Sequence, residues 1–316
     1  MENKITLGIS TCLLGENVRY DGGHKLDRFI RDTLGRYVEF VPVCPEVECG
    51  MSIPREALRL VGDPDSPRLV TQKTDQDFTE QMQSWGRKRL EDLAGKELCG
   101  YIFKSRSPSS GMERIKVYQE NGMPVKKGVG IWAKMFMDRF PDLPVEDDGR
   151  LHDPVLRENF ITRIFVFQRW RELVRTHKTL GGLVDFHSRH KMLIMAHHVP
   201  TYQELGKLVA AGKQQPLDEL YDTYLHKLHY ALKLHTTTDK NVNVLHHLMG
   251  YFKRDLSADE KQELLEIIDE YKTGNLPLIV PITLVNHYVR KYDQPYLHTQ
   301  YYLNPHPLEL KLRNNV

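Results

Sequence analysis

Across the first 150 residues, short β-branched runs alternate with stretches of helical spacing. After the segment FPDLPVEDDGRLHDPV the strand pattern stops. ITLGIS and VEFVPV are the clearest strand runs, LCGYIF and RIKVYQ follow, and PRLVTQ is weaker. Between them HKLDRFIRDTLGRY and DFTEQMQSWGRKRLEDLAG have helical spacing, the second through Phe78, Met82, Trp85 and Leu90. GVGIWAKMFMDRF reads as a further helix ended by Pro141. Strand and helix in alternation predict an α/β unit over residues 1–150, an open sheet with helices on both faces. Residues 151–316 read as an all-α unit. Asp153-Pro154 suits a helix start, Ser257 with Glu260 forms a capping-box pattern, and Gly274 suits a stop.

In an open α/β sheet, ligands bind beyond the carboxyl ends of the strands. Three loops fall at that edge: STCLLG with Cys12, CPEVECG with Cys44 and Cys49, and KSRSPSSG after the run that holds Cys99. No run approaches the ~18 apolar residues of a membrane span, and the N-terminus lacks a signal-peptide pattern. A cytoplasmic protein with no membrane partner is expected, its four cysteines reduced. Soft thiolates favour iron–sulfur clusters, zinc or copper(I). Three thiolates on a four-iron cluster leave one iron open. Cys12, Cys44 and Cys49 are the candidate metal ligands. The competing reading makes them buried small hydrophobes, and Cys99, inside an apolar run, is read that way.

Glu46 lies two residues from Cys44, where a partly desolvated carboxylate could carry protons; a solvated loop acid is the plainer alternative. KSRSPSSG offers Lys104, Arg106 and serine hydroxyls to an anion or a base edge, or is an exposed turn. In the helical half His187 and His190 are three apart, as are His226 and His229. Without an ExxH motif they read as hydrogen-bonded or surface histidines rather than metal ligands. Net charge is only +2, so neither half has the basic excess of a dedicated nucleic-acid binder.

The segments CLLGENVRYDGGHK, VCPEVECGMSIPRE and KSRSPSSGMER, with VEDDGRLHDPVLRENF at the junction, resemble the DUF523 family. LVDFHSRHKMLIMAHHVPTYQELGKLVA resembles the DUF1722 (YbgA-like) family. Together they cover nearly the whole chain. Short members of the first family are thiouracil desulfidases. The resemblance implies a Rossmann-like fold and a [4Fe-4S] cluster on three cysteines whose open iron binds substrate sulfur without redox chemistry. Cys12 and Cys44 match two ligand positions. The third, in SPSCG, is Ser110 here, and Cys49 is expected to replace it. Glu46 and Ser107 are then the catalytic pair, with Lys104, Arg106 and Ser109 toward the substrate, a small thio-compound or thiolated nucleoside. The alternative is a non-enzymatic metal or redox sensor whose helical half binds nucleic acid or a protein.

Overall fold

A computed structural model describes residues 4–310 and 312–314. The chain divides into two compact units, Met1–Asp153 and Pro154–Val316. No described helix is long and apolar enough to cross a membrane.

In the first unit the elements run β1 Ile5–Ser10, β2 Val38–Val43, the single turn α1 Pro45–Glu48, β3 Leu58–Val61 and β4 Arg68–Thr71. They continue with α2 Thr79–Ala94, β5 Gly100–Phe103, β6 Ile115–Tyr118, β7 Pro124–Gly128, α3 Ile131–Arg139 and β8 Val145–Asp147. Four of the strands form a parallel sheet in the order β2-β1-β5-β8, with Ser10 opposite Val43 and Phe103 opposite Asp147. Its central strands are apolar on both faces: Leu7, Ile9, Tyr101, Ile102 and Phe103 are fully buried. Each such side chain contributes about 1.5–3 kcal/mol of burial. The expected single open sheet is therefore only half of the strand content. β4-β3-β6-β7 form a second sheet, two antiparallel hairpins joined by a parallel β3–β6 pairing, over a core of Leu60, Leu69, Met82 and Val117.

HKLDRFIRDTLGRY does not form the continuous helix that its spacing predicts. It gives a π-helical turn at Phe29–Thr33 and a 3-10 turn at Leu34–Arg36. The reason lies upstream. Lys25 N–H and Asp27 N–H donate to Cys12 O (2.9 Å) and Leu13 O (3.0 Å), so the segment's first residues serve the loop after β1. Asp27 Oδ1 then accepts from Ile30 N–H at 3.0 Å and starts a short turn.

The second unit is helical: α4 Pro154–Thr176, α5 Leu180–His197, α6 Val199–Ala210, α7 Leu217–Lys233, α8 Thr238–Tyr251, α9 Ala258–Lys272, α10 Ile279–Lys291 and α11 Pro295–His298. Leu193, Tyr224, Val244, Leu264 and Val285 stand in its common core. The Ser257–Glu260 capping box is formed, and Gly274 sits at φ 83° just past α9. The tail lies against the unit's own helices: Tyr301 N–H donates to Arg189 O and Gln300 Nε2 to Ser188 O. On α5, His187 Nδ1 pairs with Tyr224 OH at 3.0 Å and His190 Nδ1 with Phe186 O at 2.7 Å. Burial holds both imidazoles neutral, His187 at about 4.

Candidate active site

The four parallel strands end on one edge, and each delivers a piece of the site. Cys12 lies in the 3-10 turn Thr11–Leu14 directly after β1. Cys44 follows β2 and leads into α1, where Pro45 at the first position has no N–H to lose. Lys104 follows β5 and Asp148 follows β8. Lys104 joins three of these ends. Its N–H donates to Ser10 Oγ at 2.9 Å and its Nζ to Asp148 Oδ2 at 2.8 Å. Ser105 N–H adds a bond to Asp148 Oδ1 at 2.6 Å.

Glu46 projects from α1 into a network that uses both carboxylate oxygens. Arg55 Nε donates to Oε2 at 2.9 Å, and the same guanidinium reaches Val18 O at 3.0 Å and Ser52 O at 3.2 Å. With side-chain exposures of 7% and 14%, the Arg55–Glu46 pair is largely shielded from water. Oε1 accepts from Ser109 Oγ at 2.7 Å, and Ser107 Oγ lies 2.9 Å from Ser109 Oγ. The loops after β2 and β5 thus converge. Ser109 touches the carboxylate, and Ser107 stands one hydroxyl further out.

Backbone bonds fix the serine loop. Gly111 N–H donates to Ser107 O at 2.8 Å and Trp132 N–H to Ser109 O at 2.9 Å. A Cβ on Gly130 would lie 2.5 Å from Ser109 O, so α3 can start this close only with glycine there. Ser110 is buried, and its N–H donates to Ser107 Oγ at 3.1 Å. Arg106 is exposed at φ 59°, a conformation that side-chain-bearing residues seldom adopt.

Cys12 is buried, and Cys44 and Cys49 are half-buried. Cys44 Sγ faces Val18 O at 3.9 Å and Cys49 Sγ faces Glu46 O at 3.3 Å, both weak bonds. Burial pushes the Cys12 thiol up to about 11 against the pull of Lys104. Burial, with the charge of Glu46, pushes Cys49 to about 11 as well. Burial also raises Cys44, which lies within electrostatic reach of both other thiols. Cys49 packs in part against the core of the second sheet. Among the described residues no three His, Cys, Asp or Glu side chains close on a single metal ion. Cys99 is buried just before β5, its N–H on Thr6 O. Arg55 and Asp148, which hold Glu46 and Lys104, were not singled out from the sequence. Their only signal was a place inside the long motifs around SIPRE and VEDDG.

Residues 7–148 match the family model described as 2-thiouracil desulfurase, and residues 191–307 match the one described as DUF1722, a protein of unknown function. The chain is 33% identical over 159 residues to the uncharacterized protein YbgA of Escherichia coli (strain K12), spanning 50% of this chain and 94% of YbgA. It is 30% identical over 108 residues to the uncharacterized protein YbbK of Bacillus subtilis (strain 168), spanning 33% of this chain and 71% of YbbK. Among solved structures, the [4Fe-4S]-dependent thiouracil desulfidase TudS is 25% identical. That match covers 48% of this chain and 95% of TudS with a TM-score of 0.39. The chain belongs to the 2-thiouracil desulfurase (DUF523-type) family through its first half and to the DUF1722 family, as a homologue of YbgA, through its second.

Proposed function

We propose that the α/β unit is a hydrolytic desulfidase acting on a thiolated pyrimidine or a related thio-compound. A [4Fe-4S] cluster would be held by Cys12, Cys44 and Cys49. The observation that carries this reading is the convergence at one sheet edge. Cys12 and Cys44 follow neighbouring strands, Cys49 ends the turn that carries the shielded Glu46, and Ser109 reaches that carboxylate from the facing loop at 2.7 Å. The family description of residues 7–148 agrees with it. The donor set fits a cluster. All three groups are thiols, they are desolvated, and each thiolate of a cubane binds its own iron, so they need not surround one ion. When bound, the cluster supplies an iron without a protein ligand, a Lewis acid toward a thiocarbonyl sulfur.

The chain's own residues have separate tasks. Water's oxygen replaces sulfur on the carbon, sulfur leaves as hydrosulfide, and no electrons are exchanged. Glu46, held on Oε2 by Arg55, takes the proton of the attacking water on Oε1. Ser109 vacates that oxygen by turning its hydroxyl toward Ser107, 2.9 Å away. Lys104, fixed by Asp148, places a cation at the edge where negative charge gathers on the departing sulfur. Arg106 lies exposed on the same loop, where it can steer an anionic substrate.

Anaerobically purified protein is expected to carry about four irons and four sulfides per chain. It should release hydrosulfide from 2-thiouracil or 4-thiouridine. Glu46→Gln should keep the iron and lose the release. Iron-free protein, or iron-loaded protein that releases no sulfide from either compound, defeats the proposal.

A further inference from the structure

The helical unit contains a cavity of about 400 Å³ bounded by α4, α5, the start of α8, the end of α9 and the C-terminal segment. That volume lies within the range of small-ligand sites. Leu193, Ala196, Leu276 and Leu278 give it apolar lining. Part of its polar lining is held rigid. Asn241 Nδ2 donates to Tyr271 OH at 3.1 Å, and Tyr302 OH donates to Asn241 Oδ1 at 3.0 Å, so the amide is used on both ends.

Two side chains more than nine-tenths buried keep a free polar atom at this cavity. Arg313 is 7% exposed. Its Nε donates to Glu158 Oε1 at 3.0 Å, its Nη1 to Tyr302 O at 2.7 Å, and its guanidinium lies over the Tyr302 ring. These contacts fix the group and leave Nη2 without a hydrogen-bond partner among the described residues. His197 is 2% exposed, and its Nδ1 bonds to Leu234 O at 2.7 Å. A carbonyl partner places the proton on Nδ1 and makes Nε2 an acceptor with nothing to accept. Burial and the nearby cations Lys240, Arg163 and Arg313 keep this ring neutral, at about 4.

The surroundings favour negative charge. Thr236, Thr237 and Thr238 line the cavity where the 14-residue α8 begins. Thr237 Oγ1 accepts only the third amide of that turn, from Lys240, so earlier amides are left over. Lys240 Nζ donates to two lining residues, to His197 O at 2.7 Å and His235 O at 2.8 Å. Against these stands one lining carboxylate among the described residues, Glu158, already paired with Arg313.

We propose that this cavity binds a small organic anion, a carboxylate or phosphate monoester that also carries an N–H or O–H donor. The acidic group faces Arg313 Nη2 and the first turn of α8, the donor meets His197 Nε2, and the carbon body contacts the apolar lining residues. The site is independent of the desulfuration reading.

Calorimetric titration of the full chain with two matched pairs tests it. Orotate against uracil adds a carboxylate to a common ring, and uridine monophosphate against uridine adds a phosphate. An acid that binds about tenfold or more tighter than its neutral partner is the expected result, and the responding pair identifies the acid class. Thr238→Glu should then weaken that acid at least about tenfold. An added acid in a first helical turn favours the helix, so the fold should be kept. Thr236→Glu, outside the helix, serves as the second variant. The proposal fails if neither acid outbinds its neutral partner. It fails equally if both variants keep full affinity.

Discussion

Replacing Arg55 with methionine takes the cation from a carboxylate that is only 14% exposed. Breaking a shielded ion pair from one side costs about 3–5 kcal/mol, because the remaining charge stays desolvated. Glu46 keeps its bond from Ser109, which puts the loss near the lower figure. The variant also frees Val18 O and Ser52 O, the first of them part-buried. A total of ~4 kcal/mol follows, at about 1 kcal/mol for a lost hydrogen bond. In a unit of this size that lowers Tm by about 10 °C. Trp85 and Trp132 belong to the α/β unit, with ring centroids 4.9 Å apart, and Trp170 to the helical unit. In a Trp170→Phe background, tryptophan fluorescence during urea unfolding therefore reports on the α/β unit alone. Adding Glu46→Gln should return ~2 kcal/mol, since a neutral amide has no need of the guanidinium. A loss under ~0.5 kcal/mol, the scale of exposed pairs, would refute the reasoning, as would simple additivity in the double variant.

Gly130→Ala forces a Cβ to within 2.5 Å of Ser109 O and 2.9 Å of Gly111 N, so the serine loop must move away from Glu46. Sulfide release should drop about tenfold or more with iron content unchanged; parallel loss of both would count against a positioning role. Cys49→Ala should lower iron per chain, and Ser110→Cys in that background should restore it. Full iron in Cys49→Ala removes Cys49 from the ligand set. His187, His197 and His306 sit at about 4 in the folded helical unit, each held down first by burial, against an ordinary 6.5. Their folded values are depressed, so their contribution to stability is present above pH 6.5 and is lost as pH falls toward 4. Trp170 fluorescence during urea unfolding should show the helical unit weakening over that interval. A flat profile contradicts the assignment.

The placement of Cys12 and Cys44 at neighbouring strand ends was legible because it needs only two facts. Apolar runs end just before Cys12 and Cys44, and parallel strands end together. The second sheet was not legible. β3, β4, β6 and β7 are four or five residues each, and such short runs do not say which strand they pair with. The helical spacing of HKLDRFIRDTLGRY was real but was overridden, since two of its amides were drawn to Cys12 O and Leu13 O. Arg55 stayed hidden because it meets Glu46 nine residues away through tertiary closure, outside any helical or strand period. Within KSRSPSSG, composition could not rank Ser107 above Ser109. The turn decides that, and it turns Ser109 inward.

The candidate groups are fixed in two different ways. Glu46, Cys44 and Cys49 share one short turn. Glu48 N–H closes on Cys44 O at 2.8 Å and Cys49 N–H on Pro45 O at 3.1 Å, and Gln81 Nε2 ties Cys49 O to α2 at 2.7 Å. Their mutual placement is set by local backbone geometry and should survive distant changes. The distance from Ser109 to Glu46 instead depends on α3 and on the close approach at Gly130, contacts remote in sequence. With serine at position 110, all the thiols proposed as ligands lie in the loops after β1 and β2, and the loop after β5 contributes hydroxyls and a cation. Core substitutions beneath α3 should therefore shift proton handling and substrate contact while leaving the thiol set intact. That separation lets the chemistry of the serine loop vary without disturbing the thiols proposed as cluster ligands.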